Sequence, residues 1–519
     1  MARAEWAPAD NRPATVPAWT FGLLATLVAL TWLNPFAPAP SAYAVPWLVT
    51  LGSMALLLAA CAYWQPGWSG FFHACLLGWL TASLLNCLIA LIQYSGLTAQ
   101  LQAPWSLWIN QTPPGLAFGW LRQRNQLATF CNMGLICLFY LWHCRSPGQR
   151  FWLPLATGSL LVMGCAATHS RIGLVQCCLV CLSGLLVSLR MHRRDMALGC
   201  VYLALVYVCA SRLLPHISTL LPNADIAMFP QWGAFTRLTG DDGCEARKVL
   251  WSNVLQLISV RPWTGWGWGE LDYAHYIHAY QLQPGEKRFC DILDNAHNLP
   301  LQLAVELGLP VCLLLFGAGL VWLWHSQPWR ESSAQRLAAW AILTVIGLHS
   351  LVEYPVWYGS FFSACAICLI FLASRNRGWA GPRVLAAGAM ALTVFTAYAG
   401  FDYHRVSQVF RPVAQRSPWY ADDPLGHADR SVLFKPQADF ARLSLMQVTP
   451  ENAAYVLELS QRVLHHSPEA GVIEKLLQAA QLAGRTDLYD LHRRQYRAAF
   501  PAKHDQWQRR QLAPTPATH

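Results

Sequence analysis

The residues best placed to do chemistry sit where polar segments meet long apolar runs. In Asp294-Asn295-Ala296-His297-Asn298 the histidine stands at the entrance of such a run, and Gly308 follows a helical stretch ending Val305-Glu306-Leu307. A histidine there either accepts a proton from a hydroxyl as a general base or closes the helix end through a hydrogen bond. Glu353-Tyr354-Pro355-Val356-Trp357-Tyr358 makes a turn between two further apolar runs. A carboxylate and a phenol at such a depth are costly unless paired, so Glu353 and Tyr354 are candidate partners for His297 or for an arginine.

Cations recur in the same setting. Arg122-Gln123-Arg124-Asn125-Gln126 leads directly into an apolar run, and its two cations suit an anionic ligand, with Asn125 and Gln126 able to hold either hydroxyls or phosphate oxygens. Thr168-His169-Ser170-Arg171 is a tight turn whose arginine either reaches along the interface or grips phosphate through paired donors. Arg247 follows Glu245-Ala246, and Arg261-Pro262-Trp263-Thr264-Gly265-Trp266-Gly267-Trp268-Gly269 alternates glycines with indoles. Such a stretch permits close backbone approach and offers flat faces to a sugar or to the lipid interface. Asp241 and Asp242 are adjacent acids in a glycine-flanked turn, a candidate pair for a divalent cation but read as solvated. No zinc-type cysteine spacing and no glycine-rich phosphate loop occurs, so no metal and no cofactor is expected.

The elements that must position these residues follow from composition. The chain has 519 residues, 55% hydrophobic and only 12% charged, about half the charged share of soluble domains. A soluble enzyme and a disordered polymer are both excluded, and no nucleic-acid partner is expected; the partner is membrane lipid. Eleven apolar runs approach the roughly 20 residues needed to span a bilayer. They cover 17–34, 44–64, 70–94, 126–143, 151–168, 172–189, 196–214, 299–324, 337–352, 356–373 and 384–401. Arginine-rich connections (Arg3 and Arg12, Arg145 and Arg150, Arg190 to Arg194, Arg330 and Arg336, Arg375 to Arg383) mark the cytoplasmic side, which places the amino terminus inside and the carboxyl terminus outside. Ala42-Tyr43-Ala44 is a conceivable processing site, but the run before it is long for a signal segment, so cleavage is not expected.

This topology places three larger pieces on the outer face: 95–125, 215–298 and 402–519. The expected division is a membrane domain over 1–401, including the loop 215–298, and a soluble helical tail over 402–519. In the tail, 450–466, 469–483 and 486–499 show helical spacing with Leu457, Val463, Leu464, Ile473, Leu476, Leu477, Leu482, Leu488 and Leu491 as the buried stripes. Joined at Ser467-Pro468 and Gly484-Arg485, they read as a helical hairpin of tetratricopeptide type. Of 17 cysteines, Cys244 and Cys290 alone lie outside the spans, and an oxidising compartment makes a disulfide between them plausible.

At these residues the chain resembles a superfamily of bacterial O-antigen ligases, Wzy-type polymerases and protein O-oligosaccharyltransferases that glycosylate pilins. The shared pattern is His297-Asn298 followed by Gly308 and Val311, together with Leu121 to Ala128 and Val352 to Tyr358, which are similar to motifs of the protein-glycosylating branch. The resemblance covers the fourth to tenth spans. It implies an all-α membrane glycosyltransferase of the C-type class in the inner membrane, acting on its periplasmic side. The implied donor is an oligosaccharide on undecaprenyl pyrophosphate; the acceptor is a pilin or other periplasmic protein, with lipid A core or a growing polymer as alternatives. His297, Tyr354 and Gln126 carry over as functional positions, with Arg171 and Arg247 as arginine matches. Arg124 joins them as a third cation for the pyrophosphate, and Arg122, Asn125, Asn298 and Glu353 support the site. Fixed guanidiniums neutralise a departing pyrophosphate without a metal. A multi-span transporter would use the same spans, but no repeated halves are visible.

Overall fold

In the computed structural model, residues 17–37, 40–145, 151–218, 246–280, 284, 287–374 and 378–512 are described. Secondary structure among them is helical throughout. The helices in chain order are α1 (Ala18–Leu30), α2 (Ala44–Trp64), α3 (Gly67–Tyr94), the single turn α4 (Trp105–Trp108), α5 (Arg124–His143), α6 (Trp152–Ala167), α7 (Arg171–Arg190) and α8 (Arg194–Ser218). There follow α9 (Arg247–Val260), α10 (Leu271–Ile277), α11 (Leu299–Leu307), α12 (Leu309–Ser326), α13 (Ala334–Ser350), α14 (Gly359–Ala373) and α15 (Pro382–Ser407). The tail holds α16 (Pro424–Ala428), α17 (Lys435–Leu445), α18 (Ala453–Leu464), α19 (Ala470–Leu482), α20 (Thr486–Ala499) and α21 (Pro501–Leu512).

Among the described residues, six helices are long and apolar enough to cross a bilayer: Ala44–Trp64, Gly67–Tyr94, Arg171–Arg190, Arg194–Ile217, Leu309–Arg330 and Pro382–Phe410. The helices Ala18–Leu30, Trp152–Ala167 and Gly359–Ala373 are apolar but shorter. In hydrocarbon every backbone group must be satisfied within its own segment, so a helix is the form these runs can take. The eighth expected span, 299–324, is not one helix. It breaks at Gly308, whose backbone (φ 83°, ψ 161°) leaves the helical region between α11 and α12. The expected loop 215–298 is likewise not loop throughout, since α8 runs to Ser218 and α9 and α10 lie within it.

The chain divides into two compact units. The first comprises Met1–Gly240, Gln327–Ser350 and Pro355–Ala397. Its helices approach closely at small residues: a Cβ at Gly78 would collide with the Ala25 carbonyl, and one at Gly164 would lie 2.6 Å from Cys87 Sγ. With no hydrophobic drive between helices in lipid, such close packing is what holds them together. Polar residues buried between α5, α7 and α13 bond each other. Thr129 Oγ1 donates to Gln176 Oε1 at 3.0 Å and lies 3.0 Å from His349 Nδ1, while Gln176 Nε2 donates to the Val345 carbonyl at 2.7 Å.

The second unit comprises Asp241–Ser326, Leu351–Tyr354 and Tyr398–His519. One core joins the tail helices to α10, with Val456, Leu459, Ile473, Leu476, Leu477, Tyr496 and Tyr276 all nearly inaccessible. Each such aliphatic side chain contributes roughly 1.5–3 kcal/mol through burial. The expected stripe holds for Leu457, Val463, Leu464, Ile473, Leu476 and Leu477, but Leu482 is exposed at the end of α19. A second core packs α9, α10 and α11 through Leu250, Val254, Leu257, Leu271 and Val305. Cys290 is disulfide-bonded; its expected partner Cys244 lies outside the described residues, as do Asp241 and Asp242.

Two predictions follow from this packing. Gly308 sits at φ 83°, and a Cβ there would run into the Trp263 carbonyl. Gly308→Ala should therefore cost about 1–3 kcal/mol and lower the Tm of the detergent-solubilised protein; an unchanged Tm would show that the α11–α12 break tolerates a side chain. Asp272, buried in α10, has its carboxyl pushed up to about 7, chiefly by burial and further by Glu270 and Asp294. The folded chain keeps this proton between about pH 4 and 7 while the unfolded chain loses it, so stability from this group falls as pH rises through that window. Asp272→Asn should thus gain about 2–4 kcal/mol over the native chain at pH 8 and little at pH 4, read from Tm at the two pH values. An equal gain at both would refute the assignment.

Candidate functional site

Within the second unit, three segments distant in sequence meet at one carboxylate. Glu353 is 7% exposed, and its two oxygens take different partners. Its Oε2 accepts from His297 Nδ1 at 2.7 Å, and its Oε1 accepts from the Arg247 guanidinium at 2.5 Å. A carboxylate on Nδ1 holds the imidazole in one orientation and one tautomer, which leaves Nε2 as the ring nitrogen able to accept a proton. Tyr354 packs edge-on against the same ring, with centroids 4.9 Å apart and planes at 70°.

Local chemistry explains why His297 is held there. Its backbone has φ 49°, in the left-handed region that a β-substituted residue seldom enters. The Asn295 side chain stabilises that turn by accepting from the His297 amide at 2.8 Å. Asn298 then caps α11 through its Oδ1, which accepts from Leu301 N at 3.0 Å, while its Nδ2 donates to the Leu351 carbonyl at 2.9 Å. The single side chain of Asn298 therefore starts the helix and ties it to the segment that carries Glu353 and Tyr354. Arg247 opens α9 as its first helical residue, with Ala246 at the N-cap. Burial pushes the Asp294 carboxyl up from the usual aspartate range, and the nearby His297 opposes the shift.

The other sequence-selected residues gather in the first unit, at the amino ends of two helices. Arg124 opens α5 after the N-cap Gln123, whose side chain accepts from Gln126 N at 2.7 Å. Arg171 opens α7 after the N-cap Ser170, whose hydroxyl accepts from Gly173 N at 3.1 Å. The two starts are joined, because Ser170 Oγ donates to Asn125 Oδ1 at 2.7 Å. Each helix start carries partial positive charge in its unpaired amides, so two adjacent starts with an arginine apiece suit an anion. Gln126 is buried on the first turn of α5. Arg122 is turned elsewhere: its backbone is left-handed (φ 58°), and its guanidinium donates to the Pro35 carbonyl and to Asn110 Oδ1.

Sequence reasoning passed over several side chains that brace this geometry. Gln302 reaches back along α11, its Oε1 accepting from Ala296 N at 2.6 Å and its Nε2 donating to Glu306 Oε1 at 2.8 Å. The i,i+4 spacing of Gln302 and Glu306 was the available signal. Thr129, Asn132, Gln176 and His349 are buried polar residues inside apolar helices, a pattern that itself points to paired groups. Among the described residues no group of three or more His, Cys, Asp or Glu is placed to hold a metal ion.

Comparison with known proteins gives matches to three family models over separate stretches. A model described as a protein glycosylation ligase matches residues 117–142, which include Arg122 to Gln126. One described as an O-antigen ligase matches 156–316, which include Arg171, Arg247 and His297. One described as the C-terminal part of a virulence factor membrane-bound polymerase matches 337–513, which include Glu353, Tyr354 and most of the tail. Among curated proteins, a general O-oligosaccharyltransferase of Acinetobacter baylyi is 24% identical over 287 residues, covering 54% of this chain and 46% of that relative. The chain thus matches about half the length of that protein. No solved structure matches. Over these separate stretches the chain is thus similar to O-antigen ligases, to a membrane-bound polymerase and to protein O-oligosaccharyltransferases, the last through both a family model and the curated relative.

Proposed function

We propose that this chain is a membrane glycosyltransferase that moves a preassembled glycan from undecaprenyl pyrophosphate to a Ser or Thr hydroxyl of a pilin or other periplasmic protein, on the periplasmic face of the inner membrane. The observation that carries the reading is the pairing of His297 Nδ1 with Glu353, which leaves Nε2 as the ring nitrogen able to take a proton. In the reaction the acceptor oxygen bonds to the anomeric carbon as the bond from that carbon to the pyrophosphate oxygen breaks. The hydroxyl proton passes to His297 Nε2, and the bonding pair leaves with the carrier pyrophosphate. A single displacement of this kind inverts the anomeric centre.

The residues divide the remaining work. Negative charge grows on the departing pyrophosphate, and guanidiniums fixed in advance stabilise it without reorganising. In the second unit Arg247, which shares Glu353 with His297, is the group for this role; in the first unit the adjoining helix starts of Arg124 and Arg171 offer the same chemistry. Tyr354 and Gln126 belong to the acceptor and donor surroundings in this reading. The matches of 156–316 to an O-antigen ligase and of 337–513 to a polymerase keep lipid A core and a growing polymer as rival acceptors. Mass spectrometry of pilins and lipopolysaccharide from cells with and without the gene separates the three: loss of a pilin glycan supports the reading, and loss of long-chain lipopolysaccharide alone overturns it.

General-base assistance contributes about 10²- to 10⁴-fold in rate. His297→Ala should therefore lower glycan transfer by that order in purified protein while binding of the lipid-linked donor persists. Arg171→Ala and Arg247→Ala should instead weaken donor binding, measured by titrating the lipid-linked glycan. If neither arginine variant binds donor less tightly, the pyrophosphate clamp is wrong.

A further inference from the structure

Away from His297, the indole-rich segment of the second unit builds a pocket of about 400 Å³ that the reaction above does not use. Its walls alternate flat rings with hydrogen-bonding groups. The Arg261 guanidinium lies 4.2 Å from the centre of the Trp266 ring. Tyr273 stacks on His465, from the end of α18, with centroids 3.8 Å apart, and His465 Nδ1 donates to Glu270 Oε2 at 2.6 Å. Trp268, also in the lining, is 66% exposed and so open to a ligand.

The pocket is rigid and tied to the helix that begins beside His297. Trp266 N donates to the Val305 carbonyl at 2.9 Å and Gly267 N to the Glu306 carbonyl at 3.0 Å. Gly269 N donates to Glu306 Oε1 at 3.0 Å, and Trp266 Nε1 to the Leu257 carbonyl at 2.9 Å. A Cβ on Gly265 would collide with the Glu306 backbone, so that glycine is what allows the contact. These bonds fasten the indole loop to the carboxyl end of α11, whose amino end follows His297. Nine residues of helix separate the two ends by about 13 Å.

We infer that this pocket is a saccharide subsite, receiving sugars of the donor glycan remote from the bond that breaks; the inference rests on the transferase reading above. A sugar ring offers an apolar face of C–H groups to an indole and a rim of hydroxyls that both donate and accept. Glu270 accepts, Arg261 donates and His465, bonded to Glu270, shares the lining, so a polyhydroxy ligand finds both donors and acceptors there. A lipid tail would take water from a guanidinium and a carboxylate while offering neither of them a hydrogen bond, which is costly. Binding energy gained so far from the reacting carbon serves to position it. His465 makes the carboxyl-terminal tail part of glycan recognition.

The test uses the full chain in detergent and, as probe, the glycan released by mild acid from the lipid carrier of the same cells, with binding followed by saturation-transfer NMR. Trp268→Ala and Glu270→Gln should each weaken binding about 10-fold, and Trp268→Phe should keep most of it. Trp263→Ala, which removes an exposed indole outside the lining, should bind as the native chain does. Unchanged binding in both Trp268→Ala and Glu270→Gln overturns the inference, as does an equal loss in Trp263→Ala. Quenching of Trp268 by brominated lipid with no response to glycan assigns the indole to the bilayer and also overturns it. Transfer to protein is measured in parallel on the native chain: absent transfer with intact pocket binding defeats the transferase reading alone, whereas intact transfer with no pocket dependence of binding defeats the subsite alone.

Discussion

A carboxylate buried to 7% exposure must be paired, and that constraint organises the second unit. Glu353 meets it by dividing its oxygens between an imidazole and a guanidinium, which draws residues 247, 297 and 353 together across more than a hundred positions of sequence. The consequence for His297 is orientation: with Nδ1 committed, the ring cannot turn freely, and Tyr354 against its face limits it further. The left-handed backbone at His297 fits the same picture, because strain of this kind persists where the surroundings over-determine it.

The first unit solves a different problem by related means. Polar side chains inside apolar helices are expensive in hydrocarbon, yet Thr129, Asn132, Gln176 and His349 are all buried. They bond one another and the carbonyls of Ala128, Gly173 and Val345, which locks α5, α7 and α13 in register. That register is what aligns the starts of α5 and α7, so that Asn125 and Ser170 meet and Arg124 and Arg171 open neighbouring helices. Positive charge at this place comes from backbone as well as side chains, which makes it less dependent on any one residue.

Helix α11 links the turn that carries His297 to the indole loop inside the second unit. Its amino end is fixed by Asn298 and its carboxyl end by Glu306, which serves the indole loop through both its carbonyl and its carboxylate. Gly308 ends the helix because the chain there passes against the backbone of Trp263 and Thr264, where a side chain has no room. A helix of fixed length between the proposed base and the proposed saccharide pocket would hold the two at a set distance. Flexible chain in its place would lose that relation to conformational entropy.

Much of this was legible from residue types alone. Apolar runs too long and too poor in charge for a soluble core required helices at bilayer depth, and the stripes of the tail located α18, α19 and α20 within a few residues, because periodicity near 3.6 is a local property. His297, Glu353, Arg171 and Arg124 stood out because a polar group at the edge of an apolar run must have a reason to be there. The break of the eighth run was legible only in part: 299–324 reads as one span interrupted by Gln302 and Glu306, with Gly308 after a helical stretch, and what makes glycine necessary there is the backbone of Trp263 and Thr264, more than forty positions earlier. Nor could spacing reveal that Glu353 serves both His297 and Arg247, that Arg122 turns toward the Pro35 carbonyl, or that His465 joins Glu270 and Tyr273 around a pocket. Composition and periodicity act within a turn or two of chain and so determined the elements. Which side chains share a carboxylate or a cavity depends on contacts between distant segments, and only packing in three dimensions decided those.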